Sequence, residues 1–408
     1  MGLTISPPTP VAAPLMDGLV RKLKELNFDE RHCGARLGFY EGLPDFGGPR
    51  APRPIFTPAS DALDAILALF LLNEEISLDQ LTEAFSEADI YALRAMSLIE
   101  IRGDKISAPV NLLPCSGHYF VTDRRIFPAD NQPEFSRIMW LYPESYMLAG
   151  LVDRGTHMRR ALDLGTGSGI HALKASQHSD EVIGVDINPR AVAFSRFNQR
   201  LNNIKNVEFR LGDLYAPVAG MKFDLIVSNP PFNPMPAVKA GTDYFSGGAS
   251  GEELLSRIIS GLDEHLTENG ICHIITLLCH QKSSPTYGEK LDHWLTGGIK
   301  RFDVMAHVAD QSGYFSSPDP DYFANRSAAD REAFLRAEFS KFEFGVISIR
   351  RAPGGNGHYY HGPSWAPMPL FDQDGRIRTP ITQHTFEEAR HQFQQLVAAD
   401  AFGSKVAV

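Results

Sequence analysis

Two short segments carry residue types whose spacing could do chemistry. The first is Asp163-Leu164-Gly165-Thr166-Gly167-Ser168-Gly169, in which three glycines alternate after an apolar run tipped by a carboxylate. Glycine lets the backbone turn tightly and approach a ligand where side chains would obstruct it, so this spacing suits a loop that cradles a small molecule at the carboxyl edge of a parallel sheet. The second is Asn229-Pro230-Pro231-Phe232, which follows the apolar run from Phe223 to Val227. Consecutive prolines stiffen the loop and fix its carbonyl directions. The Asn229 side-chain oxygen and the Pro230 carbonyl could then accept both N–H bonds of a planar nitrogen and free its delocalised lone pair, with Phe232 stacked on the acceptor plane. One segment would hold an electrophile; the other would present a nitrogen to it.

Further carboxylates close the neighbouring apolar runs. Asp186, followed by Ile187, ends the second run, where it is placed for ribose hydroxyls. Asp213 ends the third, suited to an adenine amino group, with Leu214 as an apolar neighbour for the ring. The glycine spacing excludes two common alternatives: Ile170 stands where a dinucleotide loop needs its third glycine, and no Gly-Lys-Ser/Thr of a phosphate loop follows. His171, just after the glycine loop, could contact a cofactor, but a lone histidine there is more often structural. Cys279-His280 and Asp292-His293 lack metal-ligand spacing, so no metal is expected.

The elements that must position these residues are strands alternating with helices beyond Met158, the sign of a doubly wound α/β sheet. Seven strands are expected, at 161–164, 182–187, 207–211, 223–227, 271–278, 302–309 and 344–349, with a helix capped by Asn188-Pro189. Ahead of them, residues 1–16 read as a flexible leader, with structure starting near Asp17. A smaller, mainly helical unit follows over 17–135. Its helices are capped by Ser60, Ser77 with Gln80, and Ser86, and a hairpin turns at Gly103-Asp104. Three helices and a hairpin resemble a winged-helix domain. Glu87, Asp89 and Glu100 outnumber Arg94 around the third helix, which argues against DNA binding and for packing or partner docking. The Ala352-to-Gly357 run breaks regular structure and opens a C-terminal extension, 352–408, with one helix near Phe386 to Val397.

Together the motifs resemble the class I S-adenosylmethionine-dependent methyltransferases, over about residues 140 to 350, and within them the HemK-like or methyltransferase small domain group with its Asn-Pro-Pro-Phe/Tyr motif. The resemblance implies a seven-stranded Rossmann-like domain over 136–351 with S-adenosyl-L-methionine as cofactor. Asp163, Gly165, Thr166, Gly167 and Gly169 would line its methionine end, Asp186 with Ile187 the ribose side, and Asp213 with Leu214 the adenine. Tyr142-Pro143-Glu144-Ser145 looks like the Pro-acidic-Ser/Thr segment that precedes the first strand in HemK-like enzymes, which adds Tyr142, Glu144 and Ser145 to the cofactor site. Asn229, Pro230, Pro231 and Phe232 would be the catalytic loop, and Gly247-Gly248-Ala249-Ser250-Gly251 is similar to a HemK-like loop that could close over substrate. Phe232 replaces the tyrosine usual in glutamine-modifying members and matches the ribosomal-RNA members. Asn233-Pro234-Met235-Pro236 has no counterpart.

Composition narrows the partners. The 408 residues, 43% hydrophobic, suffice for two domains and a tail, and a net charge of -10 disfavours general nucleic-acid affinity. Four cysteines without CxxC spacing and an apolar run, Ile66 to Leu72, too short for a membrane span fit a cytoplasmic protein with no membrane contact. The expected activity is N-methylation of a planar or conjugated amino nitrogen, in RNA or in an amide or amine acceptor. Two alternatives stand: methyl or other alkyl transfer to a small metabolite, and a non-catalytic adaptor with a vestigial pocket.

Overall fold

The computed structural model describes residues 6–37, 61–115, 117–124, 137–141, 143–151, 157–235, 245–282, 284–308, 332 and 335–363. Helix α1 (Ala13–Glu25) buries Met16, Leu19 and Leu23 on one face. It begins four residues before Asp17, so the leader is shorter than expected. Pro14 lies in its first turn, where proline presets the helical φ instead of breaking it. Upstream, the Thr9 amide donates to the Met96 carbonyl at 3.0 Å. Helix α2 (Glu30–Arg36) is followed by α3 (Ala62–Phe70), which is buried from Leu63 to Phe70 and capped by Asp61. The expected cap, Ser60, lies outside the described residues.

Strand β1 (Ile76–Ser77), α4 (Leu78–Ala84), α5 (Glu87–Ala95), β2 (Glu100–Arg102) and β3 (Lys105–Ser107) complete this unit. The expected capping box of Ser77 with Gln80 forms, and Ser86 caps α5 as expected, in a box with Asp89 that the sequence reading did not name. The β2–β3 hairpin turns at Gly103, φ +67°, and β1 pairs with β3. Ala108 and Pro109 separate β3 from the next strand. A second hairpin follows, β4 (Val110–Cys115) and β5 (His118–Asp123).

After α6 (Pro143–Leu151) the chain alternates: β6 (Met158–Leu164), α7 (Ile170–Ala175), β7 (Ser179–Asp186), α8 (Pro189–Leu201), β8 (Val207–Leu211) and β9 (Phe223–Ser228). Then come α9 (Glu253–Ser260), α10 (Leu262–His265), β10 (Leu266–Gln281), α11 (Tyr287–Trp294), β11 (Phe302–Val308), β12 (Phe339–Arg351) and β13 (Tyr359–Pro363). The main sheet has eight strands in the order β13-β11-β12-β10-β9-β6-β7-β8. Five are parallel, from β10 to β8, and β12 is antiparallel to both neighbours.

The eighth strand corrects the expected seven and comes from the segment read as an extension. The glycine run is a turn that returns the chain to the sheet. The Gly357 amide donates to Lys300 O at 2.6 Å, and a Cβ there would sit 2.0 Å from Phe302 O, so only glycine allows the approach. β13 then pairs in parallel with β11. The helix expected near Phe386 lies outside the described residues.

One buried cluster runs without a break from α1 and α3 through β4 and β5 to α7, α8 and a face of the sheet. The hairpin docks on α8 through side-chain amides. Asn198 accepts from Val121 N at 2.8 Å and donates to Val121 O at 3.0 Å, while Asn202 accepts from Tyr119 N at 2.8 Å and donates to Tyr119 O at 2.7 Å. Four residues along a helix and two along a strand both span roughly 6–7 Å, so the two asparagines act as a partner strand for β5.

Candidate active site

The chain runs from β6 outward to β7 and β8, then returns to place β9 on the other side of β6. This reversal opens a crevice at the carboxyl ends of β6 and β9, the usual ligand position in such sheets. The Ser228 hydroxyl donates to Leu164 O at 2.8 Å and ties the two strands together at the crevice floor.

Gly165, Gly167 and Gly169 all have positive φ, +72°, +54° and +86°. They serve different ends. A Cβ on Gly165 or Gly167 would meet nothing within 4 Å, whereas on Gly169 it would lie 3.0 Å from Ser195 Cβ and 3.1 Å from Phe209 Cζ. The first two leave room in the crevice; the third lets α7 pack on α8. Asp163 sits fully buried beneath the loop and does not line the crevice as expected. One of its oxygens, Oδ2, accepts from Thr166 Oγ1 at 2.6 Å and from Ala172 N at 3.0 Å, which fixes the turn. Burial outweighs these two bonds and pushes its carboxyl up to about 7.

Asp186 reaches the loop from β7. Its carboxylate accepts from Gly167 N and from Asn188 N, each at 2.9 Å, and burial raises its pKa. Beside it Ile187 is 58% exposed, an apolar side chain held open at the rim. Leu214 adopts φ +46°, rare for a branched side chain, and Asp213 accepts from Arg257 at 2.7 Å. Asn229, Pro230 and Pro231 follow β9 into the crevice, and Asn229 Nδ2 is buried without a partner among the described residues.

Phe232 departs from expectation. It is only 8% exposed, turns into a cluster with Leu277, Cys279 and Phe342, and lies against Phe344 at 5.7 Å between ring centroids. It supports the loop from behind and is not among the residues lining the crevice. The glycine loop braces the same segment: Gly247 N donates to Asn233 O at 2.9 Å, Met235 N to Gly248 O at 2.7 Å, and a Cβ on Gly251 would lie 2.6 Å from Phe232 O. Close packing, with no side chain between, is what these glycines allow.

The crevice has a volume of about 760 Å³. Ser145, Gly165, Thr166, Gly167, Asp186, Ile187, Asp213, Leu214, Asn229, Pro230 and Pro231 line it; Glu144, Asp163, Gly169 and Phe232 do not. Tyr142 lies outside the described residues. Sequence reasoning missed Ile138, Met139 and Leu141, which form a wall ahead of α6, and Arg257 on α9. His171, weighed as a cofactor contact against a structural role, is among the lining residues. The only sequence signal for His171 was its place two residues after the last glycine.

An adenosyl cofactor has a flat apolar base, a ribose diol and a charged amino-acid tail. The crevice offers exposed apolar Ile187, the Asp186 carboxylate and unpaired buried polar atoms on Ser145, His171 and Asn229, so its residues fit such a molecule. Fold and site together define a class I S-adenosyl-L-methionine-dependent methyltransferase.

Comparison with known proteins agrees. The profile of the methyltransferase small domain matches residues 144–291. A putative protein N5-glutamine methyltransferase from Methanocaldococcus jannaschii is 35% identical over 148 residues, 33% of this chain and 73% of that protein. The ribosomal protein uL3 glutamine methyltransferase of Bradyrhizobium diazoefficiens is 29% identical over 241 residues, 51% of this chain and 71% of that one. The release factor glutamine methyltransferase of Aliivibrio fischeri is 30% identical over 168 residues, covering 40% and 55%. The chain belongs to the methyltransferase small domain family and is an S-adenosyl-L-methionine-dependent methyltransferase.

Proposed function

We propose that the acceptor is a carboxamide nitrogen, with the side-chain amide of a protein glutamine as its class. The observation that carries this is the unpaired, buried Nδ2 of Asn229 at the crevice. The same side chain holds an acceptor oxygen, so its best partner presents one lone pair and one N–H in the same plane. A carboxamide does so: its oxygen would accept from Asn229 Nδ2 while its N–H bonds go to Asn229 Oδ1 and the Pro230 carbonyl. The names of the relatives, which modify glutamine in proteins, support the reading, as does a net charge of -10, which disfavours a phosphate-bearing acceptor.

The bound cofactor supplies a methyl group on a sulfonium. In this reading Gly165, Thr166, Gly167 and Ser145 hold its methionine end, Asp186 the ribose, Ile187 and Leu214 the base, and Asp213, steadied by Arg257, the adenine amine. Positioning dominates the reaction. The acceptor nitrogen, held by Asn229 and Pro230, would form its N–C bond as the donor's C–S bond breaks, the electron pair going to sulfur, and its N–H proton would pass to solvent. The stiff Pro230-Pro231 loop, packed from behind by Phe232, keeps the accepting oxygens fixed throughout.

We read the unit spanning about residues 17–135 as winged-helix-like and as a docking module for the protein acceptor, since α5 opens with Glu87 and Asp89. Four buried cysteines, none in a disulfide, support a cytoplasmic setting. The test is transfer of labelled methyl from the cofactor to cell extract. Label in the protein fraction, released as methylamine on acid hydrolysis, is expected; label in RNA or only in small molecules would overturn the acceptor assignment.

A further inference from the structure

We propose that the buried Glu252–Lys290 ion pair, joined by Tyr287, is a positioning device for the acceptor loop, fixing where Asn229 and the Pro230 carbonyl point. The proposal rests on the reading of that loop given above. Glu252 follows the last glycine of 247–251 and stands at the head of α9; Tyr287 and Lys290 lie on α11, which packs against α9. The Glu252 and Lys290 side chains are 7% and 8% exposed, and Lys290 Nζ donates to the two carboxylate oxygens at 2.9 and 2.8 Å. The Tyr287 hydroxyl donates to Glu252 Oε1 and accepts from Cys279 N at 2.8 Å, while Lys290 Nζ also reaches Cys279 O at 3.4 Å. Burial, and after it the Glu252 charge, push the Tyr287 pKa up, so the phenol stays a donor. One carboxylate thus ties the head of α9 to α11 and, through Tyr287 and Lys290, to the carboxyl end of β10.

The tie reaches the acceptor loop through the backbone. Gly251, the neighbour of Glu252, lies so close to the chain beyond Pro231 that a Cβ on it would stand 2.6 Å from Phe232 O and 3.1 Å from both Pro234 N and Cys279 Sγ. Asn233 N donates to Phe245 O at 3.2 Å, Gly247 N to Asn233 O at 2.9 Å and Met235 N to Gly248 O at 2.7 Å. The acceptor loop therefore leaves β9 at Ser228 and is gripped again at Asn233 and Met235, so the place of the glycine segment sets the path of the residues between. None of Glu252, Tyr287 and Lys290 lines the crevice, so any effect they have on the reaction passes through that segment.

Stability alone does not account for the pair. Desolvation of two buried charges offsets much of their attraction, and apolar side chains of similar volume commonly stabilise a core as well or better. Apolar contacts lack direction. A carboxylate that accepts from an ammonium and a phenol holds its partners at set lengths and angles, where packing alone would let the segment slide. Helix α9 needs no such tie, because Leu255, Ile258 and Ile259 bury it against the sheet. The segment ahead of it, Gly247-Gly248-Ala249-Ser250-Gly251, has no apolar side chain larger than a methyl to anchor it.

The experiment replaces the pair by apolar side chains, Glu252→Leu together with Lys290→Met, in the intact chain. Initial rates of labelled-methyl transfer from S-adenosylmethionine are measured against rising concentrations of cell extract, counting whichever fraction the unaltered chain labels. The double variant is expected to stay folded, with its thermal midpoint within about 5 °C of the unaltered chain. Its plateau rate is expected to fall at least about tenfold, while the half-saturating extract concentration and the calorimetric affinity for S-adenosylhomocysteine each change less than about threefold. Tyr287→Phe, which removes one hydroxyl and no charge, is expected to show a smaller fall of the same kind. An unchanged plateau in the folded double variant would leave the pair a structural role only. A raised half-saturating concentration at an unchanged plateau would make it a docking element, and a matching loss of S-adenosylhomocysteine affinity would assign it to the cofactor; each of these three results overturns the proposal. If the double variant does not fold, Tyr287→Phe decides by the same criterion. Label outside the protein fraction overturns the carboxamide acceptor and leaves this comparison intact.

Discussion

Asn229 and Asp163 both stand at strand ends beside the crevice, yet burial gives them separate work. Asn229 keeps a free donor toward the ligand space, so Asn229→Ala removes contacts made to the acceptor and little else. Turnover should fall about 10²- to 10³-fold, the scale seen when one fixed transition-state donor is lost, with S-adenosylhomocysteine affinity within about fivefold. Labelled-methyl kinetics beside calorimetry separate the two. Asp163 has no access to ligand and acts through pH. Its folded pKa of about 7 lies above the ordinary 3.8, so the folded chain holds this proton more tightly than the unfolded one. The stabilisation is complete below about pH 4 and is lost as pH rises through about 7, a swing on the order of 4 kcal/mol. Asp163→Asn cannot titrate and keeps an oxygen for Thr166 and Ala172. Its urea-unfolding free energy, relative to the unaltered chain, should rise steadily between pH 4 and 7.5; a difference that stays flat across that range would refute the assignment.

At the level of elements, the glycine turn separates into two halves that alanine can distinguish. Gly169→Ala forces a left-handed backbone and a Cβ contact with Ser195 and Phe209, so unfolding free energy should drop by about 2–4 kcal/mol. Gly165→Ala meets open space and costs only about 1–2 kcal/mol of backbone strain, but its methyl projects where the ligand lies, so cofactor affinity should suffer more than stability. Denaturant curves and ligand titration on both variants check the contrast. This turn was legible in the sequence because positive φ and close approach demand glycine, and the capping box at Ser77 and the cap at Ser86 were legible because they are local. The direction of Phe232 was not, since it depends on packing against Phe344, more than a hundred residues away. Nor was β13, whose five residues follow a proline-glycine run that reads as an end to order and is in fact a turn. The wall from Ile138 to Leu141 has no periodicity to betray it, because a distant carboxylate, not a helix or strand pattern, holds it in place.

That carboxylate couples the whole molecule. Asp123, at the end of β5, is buried in a paired contact with the Arg190 guanidinium and accepts from Ile138 N at 2.7 Å. Ile138 belongs to the crevice wall, and Arg190 lies between Pro189 and Ala191, which also line the crevice. No residue of β4 or β5 does. The N-terminal hairpin thus clamps two walls of a cavity it never touches. Asp123→Asn preserves the shape but leaves Arg190 without its buried counter-charge, and stability should fall by about 3–5 kcal/mol. Coupling of this kind is reciprocal: if the hairpin holds the walls, a ligand that holds the walls steadies the hairpin. Saturating S-adenosylhomocysteine should therefore slow hydrogen exchange at the Tyr119 and Val121 amides of the unaltered chain, and this ligand-dependent protection should shrink in Asp123→Asn even where the variant is fully bound. Unchanged exchange at both amides on saturation would show that docking and cofactor binding are independent, and that the shared core serves stability alone.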